Sequence, residues 1–433
     1  MFRSPFPCLL DPRKIVVTQA AVEEIKTAHG LYFFEFVAII AGLMAVNALG
    51  TDMMLPALPR IGSDLHVATA NHQQWVISIY LGAFGVAQLF YGPLADRFGR
   101  RPVMLFSLAL YAATSFLAAF ASSFEMLLVA RGLQGGAAAS CRVLTISIIR
   151  DCYVGRRMAS VSSLAFTVFL MVPILAPLLG QITLLVGTWH WIFSFLGIYS
   201  LGIAIWTGRR LPETLQPHLR RAISLTSIRR AAWSTFTNRW SIGYTMASGC
   251  MYGGLIGFLS SGEQIVRDGF GAPGMFAISF AAAAGTMAVA ALTNARIVER
   301  CGTRMVSHTA LIAMIMVGTV RCAIVLTGHE TLLVFVIMQG LTMFCFGFAG
   351  PNFGAMAMEE MGHIAGTASA CQGFISSMIG SLIGLIIGQS YVQNSFPLAL
   401  GVTLAAVTAL LIILVVERGR LMQPHFPPPA PVA

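Results

Sequence analysis

The sequence predicts an all-α integral membrane protein with twelve transmembrane helices in two pseudo-symmetric six-helix bundles. Composition is the first observation: 57% of the 433 residues are apolar and only 10% are charged. Counted with glycine and without tyrosine, the apolar share is about 65%, against about 45–50% in soluble domains. So few charges cannot cover a water-soluble surface, which excludes a soluble enzyme, a disordered chain and a secreted disulfide scaffold. The other two observations are a series of long apolar runs and a repeated loop.

Membrane-crossing helices need about 20 mostly apolar residues, and twelve runs meet that requirement. The predicted spans are 32–57, 73–94, 102–121, 124–149, 159–185, 190–207, 240–261, 273–294, 305–327, 331–356, 364–388 and 396–416. A polar segment divides them six and six. The predicted organisation is a cytoplasmic leader (1–31), an N-terminal bundle (32–207), a cytoplasmic linker (208–239), a C-terminal bundle (240–416) and a disordered cytoplasmic tail (417–433).

The basic residues predict the orientation. If both termini are cytoplasmic, nearly all of the 27 Lys and Arg residues lie on the inner side, as the positive-inside rule requires. The exceptions are Arg60 and Arg267 outside, and Arg131, Arg142 and Arg321 within spans. Short basic clusters between apolar runs differ from the single basic face of a nucleic-acid binder. We therefore expect the lipid bilayer as a partner and no nucleic acid.

Cysteine spacing gives no sign of a cofactor or metal. The eight cysteines include no C-x-x-C pair and no zinc spacing. Most of them lie in apolar runs, where a free cysteine behaves as a small hydrophobic residue. We expect no metal, no cofactor and no structural disulfide.

The loop after span 2 is repeated after span 8. Residues Gly92–Arg101 read GPLADRFGRR and residues Ala295–Arg304 read ARIVERCGTR. At a constant offset the matching pairs are Asp96 with Glu299, Arg97 with Arg300, Gly99 with Gly302, and Arg101 with Arg304. Two parallel repeats of six helices, with the ligand site between them, form a known transporter plan.

The first loop resembles the signature loop of the major facilitator superfamily, G-x-L-x-D-R-x-G-R-R. The matching residues are Gly92, Leu94, Asp96, Arg97, Gly99, Arg100 and Arg101. The resemblance implies the major facilitator fold and a cytoplasmic gate built from this loop, with a weaker second copy at Glu299 and Arg300. An acid set against the start of a neighbouring helix would meet the positive end of its dipole and hold the cytoplasmic side shut. The alternative is an ordinary basic loop.

Three further segments resemble the drug:proton antiporters of this superfamily. Span 1 ends in Asp52, Pro56 and Pro59, similar to D-x-x-x-P-x-x-P, and Arg131-Gly132-Leu133-Gln134-Gly135 is similar to R-x-x-Q-G. Pro173, Pro177 and Gly180 are similar to the antiporter motif G-P-x-x-G-G, from which Ala176 and Gln181 depart. Gly350-Pro351-Asn352 and residues 365–370 resemble the Bcr/CflA branch of bicyclomycin-resistance exporters. The resemblance covers roughly residues 35–416.

Ionisable groups inside a membrane span are costly, so each needs a reason. Asp52 and Arg131 lie at similar depth in the outer halves of their spans, and burial favours pairing them. The resemblance likewise implies that both take part in coupling. We hypothesise that Asp52 loads a proton when the protein is open to the outside and releases it inward, in competition with substrate. The alternative is a static pair that only holds two helices together.

The remaining predicted positions concern the cavity and helix packing. Arg142 shares a helix face with Arg131 and is predicted to line the cavity, whereas Arg321 is predicted to snorkel to the membrane interface. Weaker candidates for polar cavity contacts are Asn47, Tyr80, Gln88 and Asn352. Pro173 and Pro177 predict a kinked span 5 between the halves, with close approach at Gly180. Glycines repeat every fourth residue in spans 7 and 11, which predicts close helix packing at Gly249, Gly253, Gly257, Gly380, Gly384 and Gly388.

These patterns predict a proton-coupled exporter of small amphiphilic drugs, a monomer in the bacterial inner membrane. Small-molecule substrate and protons would be its partners. A transporter of one physiological solute, such as a siderophore or an amino-acid derivative, is the alternative on the same scaffold. A receptor or enzyme is the rival from another class. The sequence contains no H-E-x-x-H, G-x-S-x-G or C-x-x-C-H motif and no P-loop, so we predict neither an enzyme nor ATP as the energy source.

Overall fold

A computed structural model describes residues 31–153, 155–215, 218, 220, 225–361 and 364–423. The predicted leader, apart from residue 31, lies outside the described residues. So do parts of the predicted linker and the proline-rich end of the predicted tail.

The described chain folds into twelve long helices, numbered α1 to α12, in two sets of six. The first set is α1 Phe33–Asp52, α2 Trp75–Phe98, α3 Arg100–Ala119, α4 Phe124–Cys152, α5 Gly155–Val186 and α6 His190–Arg210. The second set is α7 Arg239–Gln264, α8 Phe276–Cys301, α9 Thr303–Leu326, α10 Leu332–Met358, α11 Ala365–Gln389 and α12 Phe396–Val416. Each helix lies on one predicted span, with ends that differ by a few residues.

Eleven of these helices are long and apolar enough to cross a membrane. The exception, α7, has 26 residues but is rich in glycine and polar side chains. Most of its residues are buried against other helices, so its environment is protein rather than lipid. Low hydropathy is therefore compatible with a membrane-crossing helix at this position.

Helix α1 is broken where the sequence predicted a continuous span. It ends at Asp52, and a short 3-10 turn, Leu55–Ala57, leads into a second helical piece, Leu58–Asp64. Pro56 and Pro59 explain the break, because proline has no backbone N–H to continue the helical hydrogen bonds. The break makes Asp52 the last residue of α1.

Both glycine rows are close packing faces, as predicted, and the structure shows that they join α7 to α11. A Cβ atom on Gly253 would lie 2.5 Å from Ile383, and one on Gly380 would lie 2.7 Å from Tyr252. The same close approach occurs along both rows, at Gly249, Gly257, Gly384 and Gly388. The packing prediction is therefore confirmed.

The internal repeat is visible in the backbone between α2 and α3 and between α8 and α9. Gly99 separates the first pair with a φ of 102°, and Gly302 separates the second pair with a φ of 81°. Residues that carry a side chain rarely adopt such a positive φ, which explains why glycine stands at both positions. We call the end of the protein that carries these two loops the signature end, and the other the opposite end.

Helix α5 runs without interruption through Pro173 and Pro177. It packs on α1 within its own half and on α8 of the other half. Gly180 lies against the backbone carbonyl of Met53, so closely that no Cβ would fit there. The helix therefore lies between the halves as predicted, next to the residue that follows Asp52, while the predicted kink stays a prediction.

The polar segment between the halves contains one described helix, Leu225–Thr237. Trp233 and Phe236 on this linker helix are exposed. An exposed aromatic face on a short, otherwise polar helix is typical of amphipathic segments at a membrane surface.

Candidate functional site

Arg131 is fully enclosed within the N-terminal half. Its Nε donates to the carbonyl of Val76 at 3.2 Å, and its Nη1 donates to Oε1 of Gln134 at 2.6 Å. The guanidinium lies 4.2 Å from the ring centre of Tyr80 and 5.8 Å from that of Phe193. Carbonyl dipoles and aromatic faces thus stabilise this buried cation.

The predicted ion pair between Asp52 and Arg131 is wrong for this conformation. Both residues are described and buried, yet they form no ion pair. Equal depth fixes the position of two residues along the membrane normal, but it does not fix the direction in which each helix face points. Arg131 turns toward α2 and its own helix, and Asp52 is left without a basic partner.

Asp52 belongs instead to a group at the boundary between the halves. Tyr252 on α7 interacts electrostatically with both Asp52 and Arg142. Arg142 is exposed, although it lies well inside α4. An exposed guanidinium within a membrane-crossing helix needs water or a polar ligand beside it. We call Asp52, Arg142 and Tyr252 the central group.

Tyr252 was not among the sequence-predicted candidates, because a tyrosine in an apolar span gives no distinct signal. Its packing against Gly380 is the feature that could have pointed to it, since the glycine rows bring α7 close to α11.

The four side chains predicted to contact substrate in the cavity form hydrogen bonds within the protein in this conformation. Tyr80 is buried and donates to Oδ1 of Asn47 at 3.2 Å, so these two join α1 to α2. Asn352 is buried and donates to Asn294 at 2.9 Å within the C-terminal half. Gln88 donates to Ser377 at 3.2 Å and joins the halves about half-way along α2 and α11. In this conformation Tyr80, Gln88 and Asn352 are structural contacts, and only Asn47 is partly exposed.

Arg321 does not snorkel to the interface. It is 2% exposed, with Nε 3.4 Å from Oε1 of Glu330 and Nη1 2.8 Å from Oε1 of Gln339. The ring of Phe335 lies 4.8 Å from its guanidinium. The prediction failed because Glu330, in the loop before α10, folds back over the end of α9 and supplies a buried partner.

Ion pairs and hydrogen bonds hold the first signature loop against residues of its own half. Arg100 binds Asp96 at 2.7 Å and Asp151 at 3.2 Å. Glu213, in the segment after α6, accepts hydrogen bonds from the backbone N–H groups of Arg100 and Arg101 at 2.9 and 3.2 Å. Sequence reasoning missed Asp151 and Glu213, which carry no family motif. We call Asp96, Arg100 and Asp151 the first arginine cluster.

The other residues of that loop are less constrained. The Arg101 guanidinium donates to the carbonyl of Gly208, and Arg97 is exposed. A Cβ atom on Gly92 would meet nothing within 4 Å, so this conformation does not require a glycine there. The predicted contact of Asp96 with a neighbouring helix start stays a prediction for another conformation.

The second loop has a matching arrangement around a different residue from those predicted. Glu299 and Arg300 are exposed, whereas Arg304 is buried. Arg304 binds Glu359 and Glu417, each at 2.9 Å. In each half, an arginine at the start of the third helix therefore binds an acid at the end of the fourth. We call Arg304, Glu359 and Glu417 the second arginine cluster, which Tyr244 joins through a 2.5 Å hydrogen bond to Glu417.

At the opposite end, polar side chains join the two halves. Gln74 on the N-terminal side donates to Oε1 of Gln264 at 2.5 Å. Asn71 donates to the carbonyls of Gln389 and Tyr391 at 3.0 and 3.2 Å. We call these five residues the seal. With Gln88 and Ser377 half-way across, the hydrogen bonds described here between the halves extend from the middle of the protein to its opposite end.

The part of the chain that the structure describes contains no group of three or more His, Cys, Asp and Glu residues suited to a metal ion. Its seven cysteines are free thiols. The chemistry that the site offers is therefore that of one buried carboxyl, one exposed guanidinium and one phenol.

Comparisons with known proteins agree with this architecture. The family model of the Major Facilitator Superfamily matches residues 40–385. The chain is 31% identical to a chloramphenicol resistance protein of Pseudomonas aeruginosa, over 81% of this chain and 83% of the relative. It is 27% identical to a bicyclomycin resistance protein homolog of Haemophilus influenzae, over 84% of this chain and 92% of the relative. A D-xylose-proton symporter structure matches with a TM-score of 0.68 at 12% identity, covering 87% of this chain and 96% of that one.

Proposed function

The chain belongs to the major facilitator superfamily, and from this premise we propose that it exports small amphiphilic drugs in exchange for protons. It would act as a monomer, by alternating access. Members of this family are multi-pass membrane transporters, not enzymes. The drug class is suggested by relatives named for resistance to chloramphenicol and bicyclomycin.

The proposed orientation puts the signature end in the cytoplasm of a bacterial inner membrane. Arginines cluster there, at 97, 100 and 101 and at 296, 300 and 304, which is the distribution that the positive-inside rule favours. Both termini are then cytoplasmic and the seal faces outward. Hydrogen bonds across the outer half correspond to a conformation closed to the outside.

The observation that carries the proposal is the central group. Asp52 is buried at the break of α1 and forms no ion pair among the described residues, and Arg142 is exposed although it lies within α4. A buried carboxyl is far easier to keep neutral than charged, so its proton occupancy will follow its access to water. Alternating access would expose it to each side in turn.

Binding of substrate to Arg142 and Tyr252 would make it compete with the proton on Asp52. A substrate with a polar or negatively polarised group can bind the exposed guanidinium and the phenol together. Its arrival changes the polarity around Asp52, which favours release of the proton. Loading from outside and release to inside, coupled to outward movement of drug, is antiport.

The test is transport by the purified chain in vesicles with an imposed pH gradient, using chloramphenicol as the first probe. Wild type should move the compound only when the gradient is present, and Asp52→Asn should abolish that dependence. A variant that still transports against a gradient driven by pH would exclude Asp52 as the coupling residue.

Transport of one physiological solute remains the second candidate. It differs from drug export in breadth: a single affected compound on overexpression would favour it, whereas resistance to several unrelated compounds would favour the drug exporter.

A further inference from the structure

A buried carboxyl group that the proposed coupling does not use lies directly beside the seal. Glu263 is 4% exposed and stands directly before Gln264, which forms the 2.5 Å bond to Gln74 across the halves. From there α7 continues into a π-helical turn, Ile265–Gly269. Turns of this kind are uncommon and frequently occur at functional sites.

A negative charge on the Glu263 carboxyl group would be only weakly stabilised by its neighbours. Arg267 Nε lies 3.8 Å from Glu263 Oε1, too far for a hydrogen bond. Arg267 Nε and Nη2 both donate to Asp268, at 2.7 and 2.8 Å. Glu263 Oε2 has no hydrogen-bond partner among the described residues.

Tyr391 is the other titratable group that interacts with Glu263. Burial raises the pKa of Tyr391 to about 12, so its phenol stays neutral at physiological pH. Glu263 is therefore the buried group of this cluster that can change charge there.

Other polar atoms of the same region also lack hydrogen-bond partners within the part of the chain that the structure describes. They are Gln73 Nε2, Gln74 Oε1 and Ser260 Oγ. Opening the seal would bring water to all of them and to Glu263. A carboxyl that is dry when the seal is closed and hydrated when it is open has a different preference for the proton in the two states.

We propose that Glu263 is a second proton-binding residue, protonated while the outer seal is closed and ionised when it is open. This rests on the proposed orientation and antiport. The proton comes from outer water onto a carboxylate oxygen as the seal closes, and returns to outer water when the seal opens. Acidity outside then favours closure, so this proton shifts the balance between the open and closed forms without crossing the membrane.

The experiment measures the opening of the seal directly. Spin labels on cysteines introduced at Ser122 and His329, both exposed in loops at the opposite end, report the distance between the halves. The parent chain has its eight native cysteines replaced by alanine and carries Asp52→Asn, so that Asp52 does not contribute to the pH response. Lipid nanodiscs give both sides the same pH.

In the parent, raising the pH should shift the distance distribution toward the open form. Glu263→Gln should keep the closed distribution across the pH range. Glu125→Gln, which removes an exposed acid at the same end, should follow the parent. A Glu263→Gln chain with the pH response of the parent would overturn the proposal, as would a parent without any response.

Asp268→Asn provides a second test that does not depend on the folding of the Glu263 variant. It frees Arg267 to compensate the carboxylate in the closed, dry state, so the closed form tolerates an ionised Glu263 and the opening midpoint should move to higher pH by about one unit or more. An unchanged midpoint would contradict the proposal. The pH response of the spin-label distance needs no substrate, so it can persist even if the chain shows no pH-driven export in vesicles. Absence of export with the distance response intact would count against the proposed function alone.

Discussion

Asp52 and Arg131 occupy separate environments, and this has a direct consequence for stability. Removing one partner of a buried ion pair typically costs about 3–5 kcal/mol, because the other charge is left alone. Since Asp52 has no ion pair here, Asp52→Asn should leave the thermal stability of the purified protein nearly unchanged. The static pair considered as the alternative predicts a large loss.

Arg131→Ala is the matched variant. It removes the hydrogen bonds to Val76 and Gln134 and the contact with the Tyr80 ring. We expect a clear fall in melting temperature, corresponding to about 3 kcal/mol. Equal losses of melting temperature in Asp52→Asn and Arg131→Ala would indicate that the two residues do form an ion pair, which would contradict the present description.

Arg142→Gln tests the cavity role of the exposed guanidinium. It should weaken apparent substrate binding by roughly tenfold or more, the effect of losing one hydrogen bond to a charged group. Arg142→Lys, which keeps the charge, should lose less. Concentration-dependent transport in vesicles measures both, and an unchanged half-saturation concentration in Arg142→Gln would remove Arg142 from the substrate site.

Sequence patterns identified ionisable residues better than their partners. The rarity of charge within apolar spans singled out Asp52, Arg131, Arg142 and Arg321. Their contacts could not be predicted, because spacing along one helix says nothing about which face of another helix approaches it. Glu330 and Glu263 were missed for a related reason, since they stand at helix ends where an acid is ordinary until the chain folds over it.

At the level of helices, the close contact of α7 with α11 depends on glycines, because any side chain at these positions would collide with the other helix. A Cβ atom on Gly253 would lie 2.5 Å from Ile383, so Gly253→Ala forces the two helices apart. Overpacking of this kind typically costs about 1–3 kcal/mol. We expect a lower melting temperature in detergent and slower transport.

Gly285→Ala on α8 is the control, because its Cβ would meet nothing within 4 Å. It should match or slightly exceed the wild-type melting temperature, since alanine favours the helix over glycine. Equal effects of the two substitutions would show that the glycine row is not a packing surface.

Helix positions were largely predictable, because the twelve apolar runs correspond to the twelve helices. The break of α1 after Asp52 was not predicted, although Pro56 and Pro59 were visible in the sequence. Apolar residues continue across these prolines, and hydropathy alone cannot distinguish a broken helix from a continuous one. The reverse holds for α5, whose prolines do not interrupt it.

For the protein as a whole, the repeat predicted two halves, and each half has an arginine cluster, centred on Arg100 in the first and on Arg304, the repeat partner of Arg101, in the second. The seal does not follow from any repeat, because it joins unlike residues from the two halves. Its existence predicts that movement at this end accompanies transport.

Cross-linking tests this movement. In the cysteine-free chain, Gln74→Cys with Gln264→Cys should be joined by a short bis-methanethiosulfonate cross-linker, which spans the gap left when two long side chains that meet at 2.5 Å are shortened to cysteine. Transport should stop on cross-linking and return on reduction, whereas either single variant should be insensitive. Undiminished transport by fully cross-linked protein would contradict alternating access through this end.

Proton release on substrate binding tests the central claim most directly. The purified chain is placed in weakly buffered detergent solution, and a compound that it exports in vesicles is added while the pH is recorded. Wild type should release protons in proportion to the bound compound, and Asp52→Asn should bind the compound with no release attributable to that carboxyl. Equal release from both proteins would mean that substrate displaces its proton from somewhere other than Asp52.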